Sequence, residues 1–154
     1  MTEGKIRYRK ALQTDMKYLL WLREVTMTEH LLNSKIEINK KNHLERINYE
    51  YENAKIILFN EQTIGLLKTR EYQNKLEIIQ IQIEPIHQKK GFGQKIINAI
   101  IEESTKKKLK ATLSVLKESK AQELYKRLGF KVFEENDSSF IMEYITEHNQ
   151  NLAP

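Results

Sequence analysis

The sequence predicts an α/β domain of the α+β kind, built on one mixed sheet. Three observations carry this. Segments with strand and helix patterns follow one another in the order β-α-α-β-β-β-α-β-α-β-β, which suits neither an all-parallel nor a purely antiparallel sheet. The 154 residues suit one domain at roughly 150 residues per domain, enough to bury about 68–70% of the unfolded surface. Hydrophobic residues at 40%, charged residues at 31%, two prolines and five glycines describe a globular chain rather than a disordered one.

Lys5 to Lys10 alternates Ile6 and Tyr8 with Arg7 and Arg9 and reads as the first strand. Thr14 is positioned to cap a helix that runs to about residue 33, with Met16, Leu19, Leu20, Arg23 and Met27 on one stripe. Asn39 to Glu52 reads as a second, more exposed helix carrying Leu44, Ile47 and Tyr51. Strands follow at Ala54–Asn60 and Thr63–Arg70, joined by a hairpin turn at Asn60-Glu61-Gln62. After a turn at Tyr72-Gln73-Asn74 comes the strongest strand, Leu76–Ile83, rich in isoleucine and stopped by Glu84-Pro85. Ile96, Ile97, Ile100, Ile101 and Ser104 mark an amphipathic helix, and Ala111–Leu116 a strand. Ala121, Leu124, Tyr125 and Leu128 mark a shorter helix that Gly129 ends. Lys131–Glu135 and Phe140–Ile145 form a last hairpin around Asn136-Asp137. The domain is expected over 1–146, with a polar, frayed tail at 147–154.

Composition narrows the chemistry. Cysteine is absent, which excludes disulfide scaffolds, thiol nucleophiles and Cys-type metal sites. The histidines His30, His43, His87 and His148 lack metal-ligand spacing, so no metal is expected. The longest apolar run, Tyr18–Leu22, falls far short of the ~20 residues of a membrane helix, and no apolar leader follows Met1. A reduced, soluble, cytoplasmic protein is the expectation. The net charge of +5 suits an anionic ligand or nucleic acid, and neither uniquely.

The informative stretch is a strand, Pro85, the loop Gln88-Lys89-Lys90-Gly91-Phe92-Gly93, and a helix. The first N–H groups of a helix have no intrahelical partner and sit at the positive end of its dipole. Gly91 and Gly93 let an anion approach the backbone, and Lys89 and Lys90 add cations. This points to a pyrophosphate site, or to an ordinary helix start. Neither the GxxxxGK[ST] nor the GxGxxG pattern is present.

Gln88-x-x-Gly91-x-Gly93 after a strand and Pro85 resembles the acetyl-CoA signature of the GNAT superfamily of N-acetyltransferases. Val115 to Phe130, with Ala121, Leu124-Tyr125 and Leu128-Gly129-Phe130, is similar to that family's second block. The resemblance is tight over about 76–145 and rests on element order over 1–75.

It implies a GNAT-like fold: a mixed, mostly antiparallel sheet with helices on both faces and a splayed parallel pair in its middle. It implies acetyl-CoA as co-substrate, held by the strand end Ile81-Gln82-Ile83, by the loop Gln88, Lys89, Lys90, Gly91, Phe92, Gly93 and Gln94, and by Ser119 and Tyr125. The Ile81 N–H would polarise the thioester carbonyl. Tyr125 matches the general acid that protonates the departing thiolate, its ordinary pKa of ~10 suiting that donation. Ser119 stands where the family usually has Asn, and its hydroxyl can still cap the helix.

Glu77, eleven residues before Gln88, matches the catalytic glutamate of the histone-acetylating branch. Simple alternation puts Glu77 on one face with Ile79, Ile81 and Ile83, which predicts partial burial and a raised pKa, a count that a bulge would upset. A strand-edge glutamate, with a water relay as base, is the alternative. Glu24, Glu29 and His30 late in the first helix, and Glu45, Glu50 and Glu52 in the second, would favour a cationic amine. The expected activity is direct acetyl transfer to a primary amine on a small molecule or peptide. A non-catalytic acyl-CoA sensor on the same fold is the alternative. Lys106-Lys107-Lys108 and Lys110 end a helix without a nucleic-acid motif, so nucleic acid ranks last. A monomer, or a homodimer through the last hairpin, is expected.

Overall fold

The computed structural model describes residues 4–32 and 39–145. Strand β1 (Ile6–Lys10) leads into a turn of 3-10 helix at Gln13–Asp15 and then α1 (Met16–Leu32). Thr14 is not the cap. The Asp15 carboxylate accepts the Leu12 N–H at 2.7 Å and two Arg9 bonds at 2.9 Å, and a charge-assisted acceptor outcompetes a hydroxyl.

Helix α2 (Lys40–Asn48) starts at Asn39, whose Oδ1 accepts the Asn42 N–H at 2.8 Å. It stops at Asn48 rather than at Glu52. Lys68 ends it from beneath: its Nζ donates to the carbonyls of Arg46, Ile47 and Tyr49 at 3.2, 2.8 and 2.5 Å, at the helix end where carbonyls lack intrahelical donors. Tyr51 therefore lies beyond the helix, in a 3-10 turn at Tyr51–Asn53.

Strands β2 (Ala54–Phe59), β3 (Gln62–Tyr72) and β4 (Lys75–Ile83) form a meander. Its turns carry positive φ at both central residues, 51° and 67° at Asn60 and Glu61, 49° and 65° at Gln73 and Asn74. That geometry matches strand twist. Helix α3 (Phe92–Lys106), β5 (Lys110–Leu116), α4 (Ala121–Arg127), β6 (Lys131–Glu135) and β7 (Ser139–Tyr144) complete the fold. Gly129, at φ 111°, ends α4 as expected, donating to Lys126 O while Phe130 N–H reaches Tyr125 O. The Asn136 side chain turns the last hairpin by accepting the Ser138 and Ser139 N–H groups.

The sheet has seven strands in the order β1-β2-β3-β4-β5-β7-β6, and β4–β5 is its parallel pair. One face packs Ile57, Leu67, Ile78, Leu113 and Met142 against Ile96, Ile97 and Ile100 of α3 and Tyr125 of α4. The other packs Ile56 and Leu66 against Leu19 and Leu22 of α1 and Ile47 of α2. Each such side chain contributes about 1.5–3 kcal/mol when removed from water.

A bulge in β4 changes one expectation. Lys68 pairs with Gln80 and Thr69 with Ile78, leaving Ile79 as an extra residue. Ile81 and Ile83 pack with Leu76 and Ile78 on the α3 face. Glu77 does not share their face, because the extra residue breaks the alternation. It lies on the α2 side with Arg70 and Glu50. The tail expected at 147–154 lies outside the described residues. No described helix is long and apolar enough to cross a membrane.

Candidate active site

β4 and β5 pair from Lys75↔Lys110 to Ile78↔Leu113 and then part. Beyond that point β4 stays paired with β3 as far as Ile83↔Gly65, and β5 with β7 as far as Leu116↔Ser139. Residues 79–83 thus have a strand on one side only. The Glu84 N–H bonds Ile64 O, toward β3. Successive residues alternate in direction, so the N–H groups of Ile81 and Ile83 aim at the open side. The Ile83 carbonyl is taken there by the Gln88 amide, at 2.9 Å.

Gln88 therefore staples the loop to the end of β4 through its side chain. The loop then turns through Lys89 at φ 61° and Gly91 at φ 90°. A side chain at Gly91 would meet nothing within 4 Å, so the glycine is required by the backbone and not by packing. The first bond within α3 runs from Lys95 N–H to Gly91 O at 3.1 Å. The N–H groups of Phe92, Gly93 and Gln94 precede it and lack an intrahelical acceptor. The Phe92 ring is buried edge-on against Phe59, 4.7 Å between centroids, so this residue offers the loop only its backbone. Lys89 and Lys90 are exposed beside these groups. Gly93 lies against Leu124 of α4, which brings the two helices together.

Tyr125 sits on α4, 8% exposed, with its ring edge-on to Phe130 at 6.0 Å. Its hydroxyl has no hydrogen-bond partner among the described residues, and burial pushes its pKa up to about 12. It is a protonated donor at neutral pH. Ser119 Oγ accepts the Ala121 N–H at 3.1 Å and orders the start of α4. The Gln82 side chain is buried, and its backbone pairs with Leu66 of β3, so Gln82 turns neither toward the open side.

On the opposite face, Glu77 accepts from Arg70 Nε at 2.6 Å, and Arg70 Nη1 reaches Glu50 at 3.2 Å. The Glu77 bond, above all, raises the Arg70 pKa. The Arg70 guanidinium also stacks on Tyr72, 4.8 Å from the ring centroid. Glu77 pairs across the strands with Thr112, and Thr112 with Glu143 of β7. Glu143 is 5% exposed and forms no ion pair or hydrogen bond among the described residues.

Helix α1 adds Tyr18, which donates to Glu84 Oε2 at 2.5 Å. Burial first, then that bond, raises the Tyr18 pKa. Helix α1 also buries Arg23, whose Nε donates to His43 Nδ1 at 3.0 Å. Burial first, then Arg46, lowers the Arg23 pKa to about 10. Burial and Arg23 lower that of His43, opposed by Glu24.

The carboxylates expected to face a cationic acceptor do not gather here. Glu24, Glu45 and Glu52 are exposed and Glu50 is held by Arg70. The side chains of Glu29 and His30 lie outside the described residues. Among the described residues, the buried charges of this face are Arg23, Lys68 and Glu143. The sequence placed Arg23 on the stripe of the first helix, and no local signal singled out Glu143.

The comparisons agree with the geometry. Residues 25–146 match the family model described as an acetyltransferase (GNAT) domain. No curated protein matches significantly. Among solved structures, PaiA N-acetyltransferase of Thermoplasma acidophilum, in complex with coenzyme A, superposes with a TM-score of 0.69 at 19% identity, over 92% of this chain and 99% of that one. Spermidine N-acetyltransferase of Vibrio cholerae, in complex with CoA and spermine, gives 0.65 at 23% identity, over 95% and 98%. The ribosomal-protein-S18-alanine N-acetyltransferase of Escherichia coli gives 0.64 at 16% identity, over 91% and 93%. At these identities the solved structures speak for the fold, while the family model spans both the parted strands and the Gln88–Gln94 loop. On that match the chain belongs to the GNAT acetyltransferase family.

Proposed function

We propose that the protein transfers the acetyl group of acetyl-CoA to a primary amine by direct attack, with both substrates bound together. The observation that carries this is the parting of β4 from β5 beside a helix start with free N–H groups. A narrow acyl-pantetheine arm fits an open strand edge, and a pyrophosphate fits the loop. The N–H groups of Phe92, Gly93 and Gln94, with Lys89 and Lys90, hold the pyrophosphate. Gln88 fixes the loop, and the edge Ile81–Ile83 lines the arm through the open-side N–H groups of Ile81 and Ile83, with Gln82 between them tied to β3. Ser119 positions α4 beside it.

The Ile81 N–H donates to the thioester oxygen and stabilises the charge that grows there. Glu77, oriented by Arg70, accepts a proton from the attacking amine. The new C–N bond forms, the C–S bond breaks, and Tyr125 gives its proton to the thiolate sulfur. Holding the two reactants together supplies ~7–11 kcal/mol of the barrier reduction.

A thermal melt with acetyl-CoA tests the binding half. A ligand at 100 times Kd adds about 2.7 kcal/mol. At roughly 2–4 °C per kcal/mol that is a rise of about 5–11 °C. Thiol release over an amine panel tests the transfer half. A rise without transfer to any amine turns the protein into an acyl-CoA-binding module. No rise at saturating acetyl-CoA removes the cofactor assignment itself.

A further inference from the structure

We infer that the amine acceptor carries a carboxylate and that Arg23 binds it, an inference that rests on the acetyl-transfer reading above. Arg23 projects from α1 into the layer between α1, α2 and the sheet and is 7% exposed. Its hydrogen bond is the one from Nε to His43 Nδ1. A histidine that accepts at Nδ1 is neutral, its proton on Nε2, so it does not compensate the guanidinium. No carboxylate pairs with Arg23 among the described residues.

The other charges around it make matters worse. Arg46 and Lys68 are cations near enough to act on this cluster. Lys68 is fully buried and donates to three carbonyls, not to a carboxylate. Glu24 acts on His43 from an exposed position. Glu50 and Glu52 act on Lys68, and Glu50 already holds Arg70. A buried guanidinium among like charges is a poor arrangement for a resting protein and a good one for binding an anion. Its two terminal nitrogens, neither of them hydrogen-bonded among the described residues, match the two oxygens of a carboxylate.

A second, independent group lies on the same face. Gln80 is 7% exposed, and its Nε2 donates to Arg46 O at 3.2 Å. Its Oε1 is buried with no partner. It waits for a donor, and an amine N–H is one. Gln80 follows the extra residue of β4 and precedes Ile81, whose N–H faces the thioester in the proposed reaction. An amine near Gln80 and a carboxylate on Arg23 describe an amino-carboxylic acid. A polycation would instead meet Arg23, Arg46 and Lys68 head-on.

The test measures thiol release with free amino acids, their amides, the matching decarboxylated amines and spermidine. The acids are expected to exceed their amides at least tenfold in kcat/KM. Arg23→Gln should raise the KM for the acid at least tenfold and collapse the acid-to-amide ratio toward one, and Arg23→Lys should recover part of it. In parallel, wild-type protein saturated with CoA is melted with N-acetyl amino acids and with their amides. An added shift from the acids alone supports the inference even if the Arg23 variants fail to fold. Preference for amides or spermidine, equal shifts from acid and amide, or transfer to no member of the panel overturns it. Absence of an acetyl-CoA melt shift is a separate result and brings down the reading beneath.

Discussion

The two faces of the sheet divide the work by chemistry. Under α3 and α4 the sheet is largely apolar: isoleucine, leucine, Phe130 and Met142 surround Tyr125, with Tyr144 packed at the margin. Under α1 and α2 a smaller apolar cluster is interleaved with Arg23, His43, Lys68, Gln80, Thr112 and Glu143. The apolar face, with the open edge of β4, suits a cofactor that never changes and is met mostly by backbone. The polar face suits a substrate that must be told from its relatives, which takes side chains. Buried polar groups are costly, so their concentration on one face is itself a sign of recognition.

Substitutions on each face can break that division. The largest effect is expected for Tyr125→Phe, a fall in kcat of about 10²–10⁴-fold with the acetyl-CoA Kd nearly unchanged. Unchanged turnover would leave the phenol a packing residue. Glu77→Gln on the polar face should cost about 10²-fold at neutral pH. The loss should shrink as pH rises, because the amine then sheds its own proton. A deficit constant across the pH profile would hand the proton to a water relay. Gly91→Val forces a branched residue to positive φ and should weaken acetyl-CoA binding about tenfold, or about 1.4 kcal/mol by calorimetry.

Lys68 offers a pH test of the polar face. Burial first, then Arg46 and Arg23, lower its pKa from 10.5 to about 8 in the fold. Between those values the unfolded chain binds more protons, so stability rises with pH across that window and the gain is lost as pH falls through about 8. Denaturant midpoints from about pH 8 to 10, below the titration of ordinary tyrosines, should show this slope, and Lys68→Met should flatten it. The smallest effect is Ser119→Ala: about 1 kcal/mol of stability from the lost cap, with acetyl-CoA affinity unchanged. A large loss of affinity would show Ser119 touching the cofactor directly.

Legibility followed the same division. Strand alternation, turn residues and Gly129 placed nearly every element, because local propensity and packing agree there. The Gly-rich turn at Gln88–Gly93 and the helix start behind it were readable because glycine and cation spacing is local in sequence. What escaped depended on distant residues. The bulge at Ile79 depends on pairing between β3 and β4, and it moved Glu77 to the other face. The end of α2 was set by Lys68, twenty residues downstream of Asn48 and invisible to helix periodicity. Arg23 and Glu143 escaped for the same reason: a charge in an apolar stripe gains meaning only from what fails to meet it in three dimensions.

The gap between β4 and β5 has one more consequence. Splitting a sheet down its middle creates an interior edge, and edges recruit foreign strands. Here the gap is short, 79–83 on one side and 114–116 on the other, and it is closed at one end by the paired halves. At the other end Pro85 offers no N–H, and the Gln88 amide occupies the Ile83 carbonyl. In the proposed reaction the opening would therefore act as a sieve: it has donors enough for a slender thioester arm and too little free ladder to seed aggregation with a neighbouring chain.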